Sequence, residues 1–156
     1  MTLLRPQTRA LLEAAGWSEQ YTADIQSAIE KLERRDWQVF SVAQDFLRRF
    51  GGIRIDDGSS TGGSPRFHIF VDPIEAIRRT PRWELAMAEE KLERSLCPIA
   101  ALENGHRVAL VDEAGQLFIL DGQILFTGPY VLTDIFEIAA CDWRLWPLER
   151  LFNIFE

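Results

Sequence analysis

The stretch Val108-Ala109-Leu110-Val111-Asp112-Glu113-Ala114-Gly115-Gln116-Leu117-Phe118-Ile119-Leu120-Asp121-Gly122-Gln123-Ile124-Leu125-Phe126 decides the fold. Val108 to Val111 is a continuous apolar run, closed by the turn chemistry of Asp112-Glu113-Ala114-Gly115. Gln116 to Leu120 is a second short run. Asp121-Gly122 is then a two-residue turn whose positive φ angles match the twist of a hairpin, and Gln123 to Phe126 returns. Three antiparallel strands on short turns make a meander.

Upstream, Arg66 to Asp72 alternates. Phe67, Ile69 and Val71 point one way, while Arg66, His68 and Asp72 point the other, as in a half-buried strand. With Ile53 to Asp57 it forms a hairpin whose long tip is the flexible loop Gly58 to Ser64. No Lys follows those glycines and no helix opens from them, so a phosphate cradle is not the reading. Leu96-Cys97-Pro98-Ile99 enters a buried strand. Between these strands, Asp72-Pro73 starts a short helical segment through Arg79. From Arg82, Leu85, Ala88 and Leu92 face inward, with Glu84, Glu89, Glu90, Glu93 and Arg94 on a solvated side.

The first third is helical. Leu3 to Ala15 runs to Gly16, a helix-ending residue. Tyr21, Ile25, Ala28, Ile29 and Leu32 form one apolar stripe, and Val39, Val42, Ala43, Phe46, Leu47 and Phe50 another. Ser41 and Gln44 are placed as a capping box for the third helix, which Gly51-Gly52 ends. After Gly128-Pro129, Thr133-Asp134 caps a helix toward Cys141. Pro147 opens a last helix with Leu148, Leu151, Phe152 and Phe155 on one face. Helices, then strands with a helical insertion, then helices define an α+β fold: a mostly antiparallel sheet with helices packed on one side, in a single domain over residues 1–156.

Composition narrows the function. The 156 residues carry 24 acidic and 17 basic side chains, a net charge of −7, and residues 105–156 hold three basic and eight acidic ones. Such a chain lacks the cationic excess behind nucleic-acid affinity. It also has no apolar run long enough for a membrane span, and Arg5, Arg9 and Glu13 interrupt any export signal. Two cysteines and two histidines, Cys97, Cys141, His68 and His106, match no ligand spacing, so neither metal nor cofactor is expected. With no recognisable triad the chain reads as a non-enzyme, and sparse cysteines fit the cytoplasm. Trp17, Trp37 and Trp83 lie at helix edges and read as core.

Five features then fall in a familiar order. Ala15-Gly16-Trp17 precedes the run from Val42 through Phe50-Gly51-Gly52-Ile53. Phe67 to Pro73 follows, then Pro98-Ile99, then Asp112-Glu113-Ala114-Gly115 with Phe118 on the next strand. Over roughly residues 10–140 this resembles the third group of immunity proteins in the SUKH superfamily, with Ala100 standing where that family usually has Gly. The resemblance implies a non-enzymatic protein that binds and neutralises a cognate toxin domain, often a nuclease, in the cytoplasm of a bacterium engaged in contact-dependent competition.

An acidic surface would complement a basic nuclease and steer encounter, although acidity also serves plain solubility. Glu113, Asp121 and Asp142 are the candidate acidic contacts. Trp143 and Trp146 are candidate anchors, with packing of the last helix as their structural alternative. Two other readings stay open: a scaffold or regulatory interaction module, or a small hydrolase. A homodimer through the C-terminal apolar helix is a further option.

Overall fold

The computed structural model describes residues 3–141 and 145–156. Three helices open the chain: α1 (Pro6–Ala14), α2 (Gln26–Arg34) and α3 (Ser41–Phe50). A hairpin of β1 (Arg54–Thr61) and β2 (Ser64–Phe70) follows, then α4 (Pro73–Ala76) and α5 (Arg82–Leu92). The remaining elements are β3 (Leu96–Leu102), β4 (Arg107–Asp112), β5 (Leu117–Asp121), β6 (Ile124–Thr127), α6 (Ile135–Ala140) and β7 (Glu149–Asn153).

All seven strands join one antiparallel sheet in chain order, β1 through β7. The meander read at β4–β6 is thus the plan of the whole sheet, and the fold is α+β. Register places Val108, Leu110, Phe118, Leu120 and Leu125 on one face, and Ala109, Val111, Leu117 and Ile119 on the other. Both sets are buried, so strand preference and hydrophobic burial act together here. Phe152 of β7 pairs with Leu125 on the first of these faces. The Lys91 ammonium of α5 lies 5.3 Å from the Phe152 ring, which brings α5 against that side.

An aromatic cluster ties the other helices together. Phe46 and Phe50 of α3 meet Phe136 of α6 at 5.9 and 5.1 Å between ring centroids, and Trp17 meets Phe50 at 5.8 Å. Such pairs add about 0.5–1.5 kcal/mol beyond the area they bury. The Trp17 indole N–H donates to the Arg49 carbonyl at 2.9 Å. Further along, the carboxylate of Glu137 is buried and accepts from Thr8 Oγ1 at 2.5 Å and from the Arg5 guanidinium. That tie joins α1 to α6.

Several expectations are corrected. The segment after Pro147 is not a helix. Leu148, Leu151, Phe152 and Phe155 have helical spacing, but the free edge of β6 outbids it. Glu149–Asn153 pairs with β6, and Ile154 N–H donates to the Gln123 carbonyl at 2.8 Å. A pairing partner distant in sequence leaves no mark in local periodicity. No C-terminal apolar helix is therefore present to carry a homodimer. The second helix starts at Gln26, leaving Tyr21 in the preceding loop, where its hydroxyl donates to the Gly51 carbonyl.

The Ser41 capping box does not form. Phe40 is the N-cap, and Gln44 Nε2 donates instead to the Val39 carbonyl at 3.0 Å. β1 runs on to Thr61, so the hairpin turns at Gly62-Gly63 and not over the longer loop. Trp83 is 58% exposed, its ring against Phe155 at the surface, whereas Trp17 and Trp37 are buried. Glu89 is not on a solvated face: it accepts from Leu96 N–H at 3.0 Å and pairs with Arg82.

Candidate partner-binding surface

The turn between β4 and β5 is built by one side chain. Asp112 Oδ1 accepts the backbone N–H groups of Ala114 at 3.0 Å and Gln116 at 2.8 Å. Its Oδ2 takes the Arg94 guanidinium at 3.1 Å. An aspartate does this because its short carboxylate can reach its own backbone two residues on. Gly115 completes the turn at φ +91°, a conformation that suits glycine.

Three concavities meet at this turn. The first, about 730 Å³, lies between α3 and the segment before α6, with Phe46, Phe50, Tyr21 and Tyr130 in its lining and Gly115 at its edge. The second, about 620 Å³, is the groove between Glu93-Arg94-Ser95 and the turn itself, and shares Gly115. A third, about 580 Å³, continues past Arg94 and Gln116 over Leu92, Phe118, Thr127, Pro129, Pro147, Glu149 and Leu151. Shared residues make them one belt around the tip of the β4–β5 hairpin.

Four of the eight acids of residues 105–156 are held in ion pairs, by Arg94 and Arg5 from outside the segment and by Arg107 within it. Asp112 pairs with Arg94, Glu137 and Asp134 pair with Arg5, and Asp121 pairs with Arg107 at 3.0 Å. Glu113 is exposed on the turn and makes no ion pair among the described residues, and the same holds for Glu149 and for Glu93, just past the end of α5. The negative surface is therefore narrower than the count of acids suggests.

The five residues singled out in the sequence divide in space. Glu113 sits on the belt. Asp121 and Trp146 come together at the opposite end of β5, lining a small cleft of about 210 Å³ with Arg107, Phe126 and Leu148. Trp146 is half-buried, with the Arg5 guanidinium 4.3 Å from its ring and Tyr130 edge-on at 5.2 Å. Tyr130 in turn donates its hydroxyl to the Pro147 carbonyl at 2.6 Å. Asp142 and Trp143 lie outside the described residues. Glu93 and Glu149 were missed as site residues. Each joins Glu113 only through packing of α5 and β7, which no local motif announces.

No group of three or more His, Cys, Asp or Glu among the described residues is placed to hold a metal ion. No helix among them is long and apolar enough to cross a membrane. Cys97 is buried, and desolvation, with the nearby Glu89 charge adding to it, pushes its thiol up to about 12. It packs as a small apolar group and is protonated at neutral pH.

A sequential seven-stranded meander, layered with helices and bordered by a concave belt, defines an α+β fold with three adjoining hollows at the β4–β5 end. The chain belongs to the SUKH-3 immunity protein family, whose profile matches residues 4–137. Membership implies a role in toxin immunity, with a cognate toxin as partner. No curated protein and no solved structure matches the chain significantly.

Proposed function

We propose that this protein binds a cognate toxin domain of nuclease type and neutralises it by covering its working surface, in the cytoplasm of the cell that makes the toxin. The observation that carries the reading is the family match over residues 4–137. Two features support the nuclease class. The net charge is −7, and Glu113 presents a carboxylate without an ion pair among the described residues, on a turn that lies in the middle of the concave belt. A nuclease must itself be basic to hold phosphates, so opposite charge speeds encounter and competes with nucleic acid for the same face.

Glu113 is the contact residue favoured by this reading. Asp121 and Trp146 form a second, weaker edge, because the Asp121 charge is already engaged by Arg107 and the Trp146 ring by Arg5. The test is co-expression with a candidate cognate toxin domain. Growth should be restored, and the two proteins should purify as one complex. If cells die as they do without this protein, and no complex forms, the reading is wrong.

A further inference from the structure

The belt is not uniform, and its Arg94 side has a distinct chemistry. Here the grooves of about 620 and 580 Å³ run together through Arg94 and Gln116. Of the polar side chains lining them, Arg94, Asp112, Gln116 and Thr127 are satisfied within the chain. Gln116 Nε2 donates to Thr127 Oγ1 at 2.8 Å and to the Gly128 carbonyl at 2.9 Å, and Thr127 Oγ1 donates to the Leu117 carbonyl at 2.8 Å. Arg94, the single cation among the described lining residues, is taken by Asp112 at 3.1 Å. The base is apolar, formed by Leu92, Phe118 and Leu151.

What remains for a partner is three exposed carboxylates, Glu93, Glu113 and Glu149, without an ion pair among the described residues. Neighbouring hollows differ. Asp45 pairs with Arg48, and Glu19 with Arg9, beside the α3 cleft, and Asp121 pairs with Arg107 at the far end. We propose that this trough seats a basic segment of the cognate toxin domain, with Lys or Arg side chains reaching Glu93, Glu113 and Glu149 and an apolar side chain between them on Leu92, Phe118 and Leu151.

The inference rests on the toxin-binding reading and adds where and by what chemistry binding occurs. A neutral peptide would leave three carboxylates partly desolvated and unpaired, and a nucleic acid would be repelled. Only a cationic segment gains from the arrangement. The internal hydrogen bonds hold the trough in shape beforehand, so little ordering cost falls on the complex.

The test is calorimetric titration of the full chain with the inactivated cognate toxin domain at low and moderate salt. Glu93→Lys, Glu113→Lys and Glu149→Lys together should weaken binding roughly hundredfold, and the corresponding triple change to Gln roughly tenfold with a flatter salt dependence. Glu30→Lys with Glu33→Lys, on the exposed side of α2, should stay within about threefold of the parent. Thermal melts check folding, and the Gln triple variant keeps the test valid if the Lys variant does not fold. Tight binding by both triple variants would overturn the trough while leaving toxin binding intact. Failure of the parent chain to bind would overturn the toxin reading, and the trough with it.

Discussion

Replacing Asp112 by Ala should be among the most destabilising changes on the sheet's polar end. Its side chain is 5% exposed and accepts three hydrogen bonds, two from turn N–H groups and one from Arg94. Each backbone bond contributes about 1 kcal/mol, and its loss leaves a donor at a part-buried turn. The Arg94 bond is charge-assisted, but the Arg94 side chain is 54% exposed, which discounts it to about 1 kcal/mol. The expected loss is therefore about 3 kcal/mol. Asn can keep Oδ1 for the two turn bonds and presents a donor to Arg94, so Asp112→Asn should cost about 1 kcal/mol. Urea unfolding followed by tryptophan fluorescence, with an unchanged slope, measures both. An alanine variant within about 0.5 kcal/mol of the parent, or an asparagine variant as damaging as alanine, would refute the role given to this carboxylate.

The other expectations can be checked on the same purified chain. Trp17 and Trp37 are both 3% exposed, but only the Trp17 N–H has an acceptor, while Trp37 Nε1 has none among the described residues. Trp17→Phe should accordingly cost about 1 kcal/mol more than Trp37→Phe in chemical unfolding. Arg5→Ala leaves the buried Glu137 carboxylate with Thr8 alone and strips the cation from the Trp146 ring. Because the Arg5 side chain is half-exposed, the expected loss is about 2 kcal/mol, short of a fully buried pair, and read as a shift in urea midpoint. The Cys97 thiol is raised from 9.0 to about 12 in the folded state. The folded chain then holds a proton that the unfolded chain releases, so stability falls as pH rises from 9 toward 12. The folding constant drops by up to roughly tenfold per pH unit. Cys97→Ala should lack this extra alkaline loss in parallel pH titrations of stability.

The parts of the fold legible in the sequence were those whose cause is local. The β5–β6 hairpin was legible from Gly122, but its two-residue turn is Gly122-Gln123, one residue beyond the expected Asp121-Gly122: Asp121 stays in β5 paired with Ile124, and only Gly122 takes a positive φ, +61°. The alternation of Phe67, Ile69 and Val71 reports one buried face. The stripes of α2 and α3 were visible for the same reason, although Tyr21 was drawn into a helix when its real task is to reach the Gly51 carbonyl. The last strand was illegible. Its helical spacing is genuine, and the open edge of β6 that overrides it lies well upstream in the sequence. The proposed site shows the same division. Glu113 was singled out from the acidic final third and lies on a turn legible in the sequence, but Glu93 looked like one more solvated helix residue and Glu149 like part of a terminal helix. Their convergence depends on tertiary packing alone.

The sheet lies in the order in which the chain is synthesised, yet the first helix does not. Residues Arg5 and Thr8 wait for Glu137, more than a hundred positions later. During translation each new strand can zip onto the one just made, at small loop-closure cost, while the amino-terminal helix stays undocked until nearly all of the meander has been laid down. Docking of α1 would then be among the last steps of maturation, and a nascent chain caught before that step would show the sheet without its latch.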